Sequence, residues 1–277
     1  MPDPDVRSSI PVLSRKKVMK QRKRYWRWRL PTALIRATSH TPECTEDPNF
    51  PDFGIALIAL GGKFHRWSRI LIQSLRDTGT YHGPVYVVTE KPEAFAGLDN
   101  VAPVKVARTR HQMVAKTCKT FLFDWVPCRR ILYVDADIVC GEPIQRWFDD
   151  AIALQENTPT LFYPDPGDRN LPLHGGLILM DRARSAPLFR QWRQQLASGR
   201  FRQDQEALLT IADDHAIGHF PDGGILFPDE PAIDQQRRAC FVHITRHRYR
   251  MLGHDRLHYY LEDVLGIAQA DERLDFS

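Results

Sequence analysis

Cysteine is scarce in this sequence, and its cysteines lie far apart. The 277 residues contain five of them, an odd number, and no two form a Cys-x-x-Cys pair. Neither the paired cysteines of a zinc ribbon nor the regular cysteine framework of a small disulfide-stapled domain is therefore indicated. The pattern favours reduced thiols, which are typical of proteins of the cytosol.

Long apolar runs are also missing. No stretch approaches the roughly 18 consecutive apolar residues that a membrane-spanning helix requires. The first residues lack the apolar centre of a secretory signal peptide, so we expect the protein to be cytoplasmic. Hydrophobic residues nevertheless make up 43% of the chain, which is enough for a sizeable core.

Two common nucleotide-binding motifs are absent. The sequence contains no G-x-G-x-x-G fingerprint and no Gly-Lys-Ser/Thr of a P-loop. A bound nucleotide would therefore have to be held by a metal ion and by scattered contacts.

Basic residues are concentrated near the N-terminus. Residues 1–40 contain eleven lysines and arginines against two aspartates, whereas the remainder contains 27 basic and 32 acidic residues. Because the remainder is not basic, we expect no nucleic-acid partner. Prolines and a polar segment interrupt the beginning of the chain, which predicts a flexible basic extension over residues 1–50 and one domain over residues 51–277.

Residues 15–29 of this extension combine nine basic residues with three aromatic ones, Tyr25, Trp26 and Trp28. Such a segment can lie on an anionic membrane surface, with its aromatic rings at the level of the headgroups. It can equally be a solvated tail. The sequence leaves open whether the protein binds peripherally to the cytosolic face of a membrane.

From residue 54 onwards, strand and helix patterns alternate. An apolar strand over residues 54–60 precedes an amphipathic helix over residues 65–76 and a second strand over residues 85–89. This β-α-β unit predicts an α/β domain with a mostly parallel central sheet flanked by helices. The further predicted elements are a helix over 110–125, strands over 131–134 and 176–180, and helices over 186–197 and 204–212.

Two carboxylates interrupt the apolar run at residues 130–139. Asp135 and Asp137 are two residues apart, so on an extended backbone their side chains point to the same side. Carboxylates beside a buried strand are costly unless they are paired or bound to a metal. The two residues are therefore candidate ligands of one divalent cation, which could hold a diphosphate. A solvated strand end is the alternative, since short acidic pairs also occur by chance.

Several further segments follow in an order that resembles one enzyme family. They are the first strand and loop at 56–64, Lys116 and Lys119, the run 132–137, His174 to Asp181, Asp204-Gln205-Glu206, and Phe241 to His243. Over about residues 53–250 this order resembles the retaining GT-A-fold glycosyltransferases, specifically the family of glycogenin and bacterial lipopolysaccharide galactosyl- and glucosyltransferases. Each segment is weak alone and gains weight from its place in the order.

The resemblance implies a GT-A-type, Rossmann-like fold and a hexose transfer from a nucleotide-sugar, expected to be a UDP-sugar. The acceptor would be a hydroxyl of a polysaccharide or glycolipid, as in lipopolysaccharide or polysaccharide biosynthesis, and the anomeric configuration would be retained. It further implies Mn²⁺, or the harder Mg²⁺, bound by Asp135, Asp137 and His243.

The resemblance also assigns other site residues. Asp204 and Gln205 would contact the donor sugar and the reaction centre and are the candidate catalytic residues. The candidate donor-binding residues are Ala59, Leu60, Gly61, Lys116, Lys119, Asp135, Ala136, Asp137, His174, Gly175, Gly176 and Arg246. For Asp204 a plain helix N-cap, and for Lys116 and Lys119 a solvated helix face, remain alternatives.

The sequence departs from the family pattern in three places. The first loop lacks the Asp and Asn that the family places near the base and ribose, and His174 stands where the family has Asn. The family's late histidine, which corresponds to His243, opens a His-x-x-Gly-x-x-Lys signature. Here Arg246 occupies its glycine position and Tyr249 its lysine position, so Arg246 is a candidate for the missing positive charge.

Two other functions stay open. One is a sugar-nucleotide pyrophosphorylase, although the loop over residues 61–65 is short and lacks the arginine of that class. The other is a non-catalytic protein that binds a membrane surface through the basic extension.

Overall fold

The structure of the protein is a computed structural model, and it describes residue 35 and residues 44–107, 112–164, 173–201, 203–244 and 251–267. The segment 15–29 and Arg246 lie outside the described residues.

Within the described residues, ten strands form two sheets. Their bounds are β1 Phe53–Ala59, β2 Val85–Thr89, β3 Val101–Lys105, β4 Arg130–Val134, β5 Ile138–Cys140, β6 Thr160–Tyr163, β7 His174–Asp181, β8 Ile217–His219, β9 Ile225–Leu226 and β10 Phe241–His243. The central sheet has the order β3-β2-β1-β4-β7-β6-β8, and the small sheet has the order β5-β10-β9.

Strand direction decides which chain ends meet. Strands β3, β2, β1 and β4 are parallel to one another, whereas β7 is antiparallel to both β4 and β6. The carboxyl ends of β1, β2 and β4 therefore lie at the same edge of the sheet as the amino end of β7. This edge carries most of the residues that the sequence singles out.

Helices pack on the sheet. Their bounds are α1 Gly62–Asp77, α2 Gln112–Cys118, α3 Leu122–Trp125, α4 Gln145–Asn157, α5 Arg182–Ala197, α6 Asp204–Leu209, α7 Glu230–Asp234 and α8 His254–Tyr259. Helix α1 shows the reason for their formation, since Trp67, Leu71 and Leu75 recur at helical spacing and are buried. No helix among the described residues combines the length and the apolarity that crossing a bilayer requires.

The core lies on both faces of the sheet. Strand β1 is buried along its whole length, with Ile55 and Leu57 in one apolar cluster and Ala56 and Ile58 in the other. This alternation follows from the two-residue period of a strand. A strand that packs apolar side chains on both faces is typical of a sheet covered by helices.

The predicted α/β class with a mostly parallel central sheet is confirmed. Strand β3 was not predicted from the sequence. Its Pro103 argues against a strand, but β3 lies at the sheet edge, where a missing N–H group is tolerated.

The single helix predicted over residues 110–125 is wrong in its continuity. A 3₁₀ turn over Lys119–Phe121 separates α2 from α3. The hydroxyl of Thr120 donates back to the carbonyl of Thr117 at 2.8 Å, and the guanidinium of Arg193 donates to the Thr120 carbonyl. These bonds compete with the regular helix ladder and account for the break.

The chain already contacts the domain before residue 51. Phe50 is buried against Phe53 and Phe148, and Asp47 accepts a hydrogen bond from the backbone of His82 at 3.1 Å. The extent of the N-terminal extension stays a prediction.

Candidate active site

A cavity of about 1010 Å³ opens at the sheet edge where β1, β2 and β4 end. Its walls include Gly61 and Gly62 after β1, Glu90 after β2, and Asp135 and Asp137 after β4. Open α/β sheets bind ligands outside the carboxyl ends of their strands. The cavity therefore occupies the place where a ligand is expected in this topology.

Asp135 and Asp137 lie in the short turn between β4 and β5. The Ile138 N–H donates to the carbonyl of Asp135 at 3.1 Å, and the Asp135 N–H donates to the carbonyl of Gly176 at 2.7 Å. The carbonyl of Asp137 accepts the Ile244 N–H at 2.8 Å. Backbone bonds thus fix the turn and hold both carboxylates at the cavity wall.

The imidazole of His243 forms a cluster with these carboxylates. Strand β10 pairs antiparallel with β5, and His243 lies opposite Ile138, so the ring lies beside the turn. Its Nε2 is 3.2 Å from Oδ1 of Asp137, and one potential ligand atom from each of Asp135, Asp137 and His243 lies within 4.8 Å of the others. Two carboxylate oxygens and an imidazole nitrogen suit Mn²⁺, and Mg²⁺ as a harder alternative.

Asp137 and His243 change each other's protonation. Burial alone would lower the pKa of His243, but its attraction to Asp137 and the hydrogen bond that this carboxylate accepts outweigh burial and raise that pKa. Burial would likewise raise the pKa of Asp137, but His243 outweighs it and lowers that pKa. A cation at Nε2 requires the neutral imidazole, so cation binding would release the proton that the pair retains.

Lys119 lies at the centre of the polar contacts. Its side chain is only 8% exposed, and its ammonium group is 2.7 Å from the carbonyl of Gly175, 3.2 Å from Asp135 and 3.8 Å from Asp204. Burial would lower its pKa, but the two carboxylates outweigh burial and raise it. The ammonium group also lies 4.8 Å from the ring centre of Tyr133, whose hydroxyl donates to Asp135. Lys119 therefore stays charged and neutralises part of the acidic site.

Asp204 begins helix α6 and is 4% exposed. One carboxylate oxygen lies 3.0 Å from the ammonium group of Lys116 and the other 3.8 Å from that of Lys119. Gln203 is the N-cap of the helix, so the carboxylate of Asp204 does not serve as the cap. Gln205 lies next to Gly175, since a Cβ atom built on that glycine would be 4.0 Å from its Cγ.

The segment His174–Gly176 lies at the amino end of β7. The Gly176 N–H donates to Nδ1 of His174 at 3.0 Å, and the ring centres of His174 and His243 are 4.9 Å apart. A Cβ atom at Gly176 would lie 2.6 Å from His174 and 3.0 Å from Asp135. A larger residue at this position would displace one of these two side chains, which favours glycine here.

The remaining predicted residues differ in whether they line the cavity. Leu60, Gly61 and Ala136 line the cavity, whereas Ala59 does not, because its side chain packs in the apolar core. Arg246 lies outside the described residues.

Sequence reasoning assigned no role to two polar residues of the cavity wall, Glu90 and His65. Glu90 accepts the Gly61 N–H at 2.9 Å, and its second oxygen lies 3.4 Å from Nε2 of His65. The available signal was the position of Glu90 directly after a parallel strand. A second missed feature is Phe227, whose ring centre is 4.9 Å from that of His243.

No protein-family model and no curated protein matches the sequence. Solved structures do match the fold. The galactosyltransferase LgtC, in complex with donor and acceptor sugar analogues, is similar with a TM-score of 0.55 and 12% identity over 77% of this chain and 94% of LgtC. The apo form of the glycosyltransferase GlyE of Streptococcus pneumoniae TIGR4 is similar with a TM-score of 0.54 and 13% identity, over 77% of this chain and 61% of GlyE.

A third structure is the bifunctional glycosyltransferase WbbM, similar with a TM-score of 0.52 and 9% identity. That match covers 74% of this chain and 47% of WbbM. At these identities the likeness concerns the fold. The predicted GT-A-type fold is confirmed.

Proposed function

We propose that the protein is a metal-dependent glycosyltransferase that moves a hexose from a nucleotide-sugar, specifically a UDP-sugar, to a hydroxyl group. The observation that carries the proposal is the convergence of Asp135, Asp137 and His243 beside a cavity at the ligand-binding edge of the sheet. The fold shared with LgtC and GlyE supports it.

Asp135, Asp137 and His243 would hold Mn²⁺ or Mg²⁺. A divalent cation there supplies positive charge that stabilises the leaving diphosphate. Lys119 adds a buried positive charge on the same side, 3.2 Å from Asp135. Fixed charges of this kind need no reorganisation during the reaction, so they stabilise the transition state efficiently.

Asp204 positions the donor sugar in this proposal. Lysine contacts hold both of its oxygens in place, and the remaining lone pairs can accept hydrogen bonds from sugar hydroxyls. Gln205 acts from the same helix start. We assign no side-chain nucleophile. The acceptor hydroxyl attacks the anomeric carbon from the side of the leaving group, its proton passes to the departing phosphate oxygen, and the configuration is retained.

The acceptor in this proposal is a carbohydrate or a glycolipid. The carbohydrate class is consistent with the LgtC structure, which contains donor and acceptor sugar analogues. The glycolipid alternative fits the basic, aromatic segment 15–29, which would bring the enzyme to an anionic membrane surface.

The test uses the purified full chain with UDP-glucose or UDP-galactose and Mn²⁺. We expect slow hydrolysis or transfer that stops with a chelator and falls at least about 100-fold in a variant combining Asp135→Ala and Asp137→Ala. The matched control combines Asp149→Asn and Asp150→Asn, which removes two exposed carboxylates from helix α4. Undiminished turnover of the first variant refutes the metal site. Release of pyrophosphate from UTP and a sugar phosphate, without transfer, replaces the proposal by a pyrophosphorylase.

A further inference from the structure

The carboxylate of Glu90 lies in the cavity wall and has no role in the proposed mechanism. One oxygen accepts the Gly61 N–H at 2.9 Å, and the other lies 3.4 Å from Nε2 of His65. The same nitrogen is 3.3 Å from the hydroxyl of Thr89. The side chain of Glu90 is 14% exposed and that of His65 is 9% exposed. The carboxylate is thus held in one orientation while it still faces the cavity.

The sheet places Glu90 at a defined distance from the metal cluster. Strands β2, β1 and β4 are consecutive parallel neighbours, and Glu90 and Asp135 follow β2 and β4 directly. Neighbouring strands are about 4.8 Å apart, so these two residues are separated by roughly 10 Å along the sheet edge. This separation leaves one strand end, that of β1, between them.

The end of β1 provides an open floor. Leu60, Gly61 and Gly62 bring no polar side chain to it, and a Cβ atom at either glycine would meet no protein atom within 4 Å. Gly61 has a φ of +95°, which favours glycine, and its N–H is the group that Glu90 accepts. Among the described residues, neither glycine at this strand end obstructs a ligand that extends from Asp135 towards Glu90.

Given the proposed function, on which this step rests, the diphosphate lies at the cluster of Asp135, Asp137 and His243. The ribose then lies over the β1 end, and the base reaches the β2 end. We propose that Glu90 recognises the base of the bound nucleotide by accepting its ring N–H group. Uracil has such a group at N3 and guanine at N1.

The chemistry of the base edge gives the specificity. An ionised carboxylate is an acceptor only, so it pairs with the ring N–H of uracil or guanine. Cytosine and adenine present a lone pair at the corresponding ring nitrogen, and two acceptors face each other without a proton between them. A site built to accept a hydrogen bond discriminates strongly against a ligand that lacks the donor.

The first test needs no variant. Calorimetry of the full chain with Mn²⁺ should give at least about tenfold tighter binding of UDP or GDP than of CDP and ADP. The comparison of UDP with GDP shows which of the two bases with a ring N–H group is preferred. Methylation of N3 in UDP should weaken binding about tenfold, whereas 2′-deoxy-UDP should bind within about threefold of UDP.

The second test uses Glu90→Gln, whose amide can donate to cytosine N3. We expect the preference for UDP over CDP to fall at least about tenfold. The matched control is Glu156→Gln, the same change of charge at an exposed residue of helix α4 that does not line the cavity, and it should keep the order of the four nucleotides.

The outcomes separate this inference from the proposed function. Metal-dependent binding of all four diphosphates with equal affinity overturns the role of Glu90 and leaves the glycosyltransferase proposal intact. Weaker binding of 2′-deoxy-UDP together with unchanged binding of N3-methylated UDP has the same consequence. Absence of any metal-dependent nucleotide binding overturns both.

Discussion

Replacement of Lys119 by methionine removes a buried charge from the centre of the site and keeps most of the side-chain volume. The ammonium group contacts Asp135 at 3.2 Å, Asp204 at 3.8 Å and the carbonyl of Gly175 at 2.7 Å. In the variant Lys119→Met, two carboxylates lose a counter-charge and one carbonyl loses a donor. We therefore expect the free energy of unfolding of the metal-free protein to fall.

The size of the loss follows from the exposure of the partners. Removing one member of a fully buried ion pair costs about 3–5 kcal/mol. Here Asp204 keeps Lys116 at 3.0 Å, and the Asp135 side chain is 28% exposed, so water compensates part of the loss. We expect a destabilisation of about 2–3 kcal/mol. The matched variant Lys116→Met loses an ion pair in which the lysine is 37% exposed, and we expect about 1 kcal/mol or less.

Urea unfolding of both variants without metal measures the difference in the free energy of unfolding. An unchanged slope of that free energy against urea concentration would confirm that only stability has changed. Mn²⁺ should then stabilise Lys119→Met more than the wild type, because the cation no longer meets the ammonium group beside Asp135. Equal stability of the two lysine variants would refute the central role of Lys119. A failure of Mn²⁺ to stabilise either variant would refute cation binding at these carboxylates.

Three further predictions concern pH, glycine and the N-terminal extension. Burial would lower the pKa of His243, but Asp137 raises it above its usual value of 6.5. The ion pair of the two residues therefore stabilises the metal-free protein fully below about pH 6.5, and its contribution is lost as the pH rises through the raised pKa. Since Mn²⁺ needs the neutral ring, the increase in Tm that it causes should grow between about pH 6 and about pH 8 in a thermal-shift assay, and a constant increase would contradict the assignment. Gly176→Ala should weaken Mn²⁺-dependent UDP binding at least about tenfold in calorimetry, because its Cβ atom would displace His174 or Asp135. Deletion of residues 1–40 should reduce sedimentation with anionic liposomes at low salt, and unchanged partitioning would remove the membrane hypothesis.

The parts of the fold that depend on local pattern were predictable from the sequence. Strand β2 and helix α1 follow from apolar periodicity, and the pairing of β1 with β2 follows from the β-α-β order. The orientation of Asp135 and Asp137 towards one side follows from their spacing. These features follow from the local sequence pattern or from the order of consecutive elements along the chain.

The rest depends on distant contacts that periodicity does not encode. His243 meets Asp137 across 106 residues because β10 pairs with β5, and each of these strands is only three residues long. The resemblance to a family predicted that meeting, whereas the residue pattern alone could not. Likewise, the antiparallel direction of β7 brings Gly176 to Asp135, and strand direction has no signature within the strand itself.

The charges of the site explain how it can form before any cation binds. Three carboxylates, those of Asp135, Asp137 and Asp204, converge near one sheet edge, and burying them without counter-charges would be costly. Lys119 and Lys116 together supply the counter-charges of Asp135 and Asp204, and below its raised pKa the ring of His243 neutralises Asp137. Below the raised pKa of His243 the metal-free site is thus balanced, so there a cation has to replace the proton on His243 and compete with Lys119 for Asp135. The affinity of the cation is set by this competition. The positions of the carboxylates that would bind it are fixed in advance by the backbone hydrogen bonds of the turn between β4 and β5.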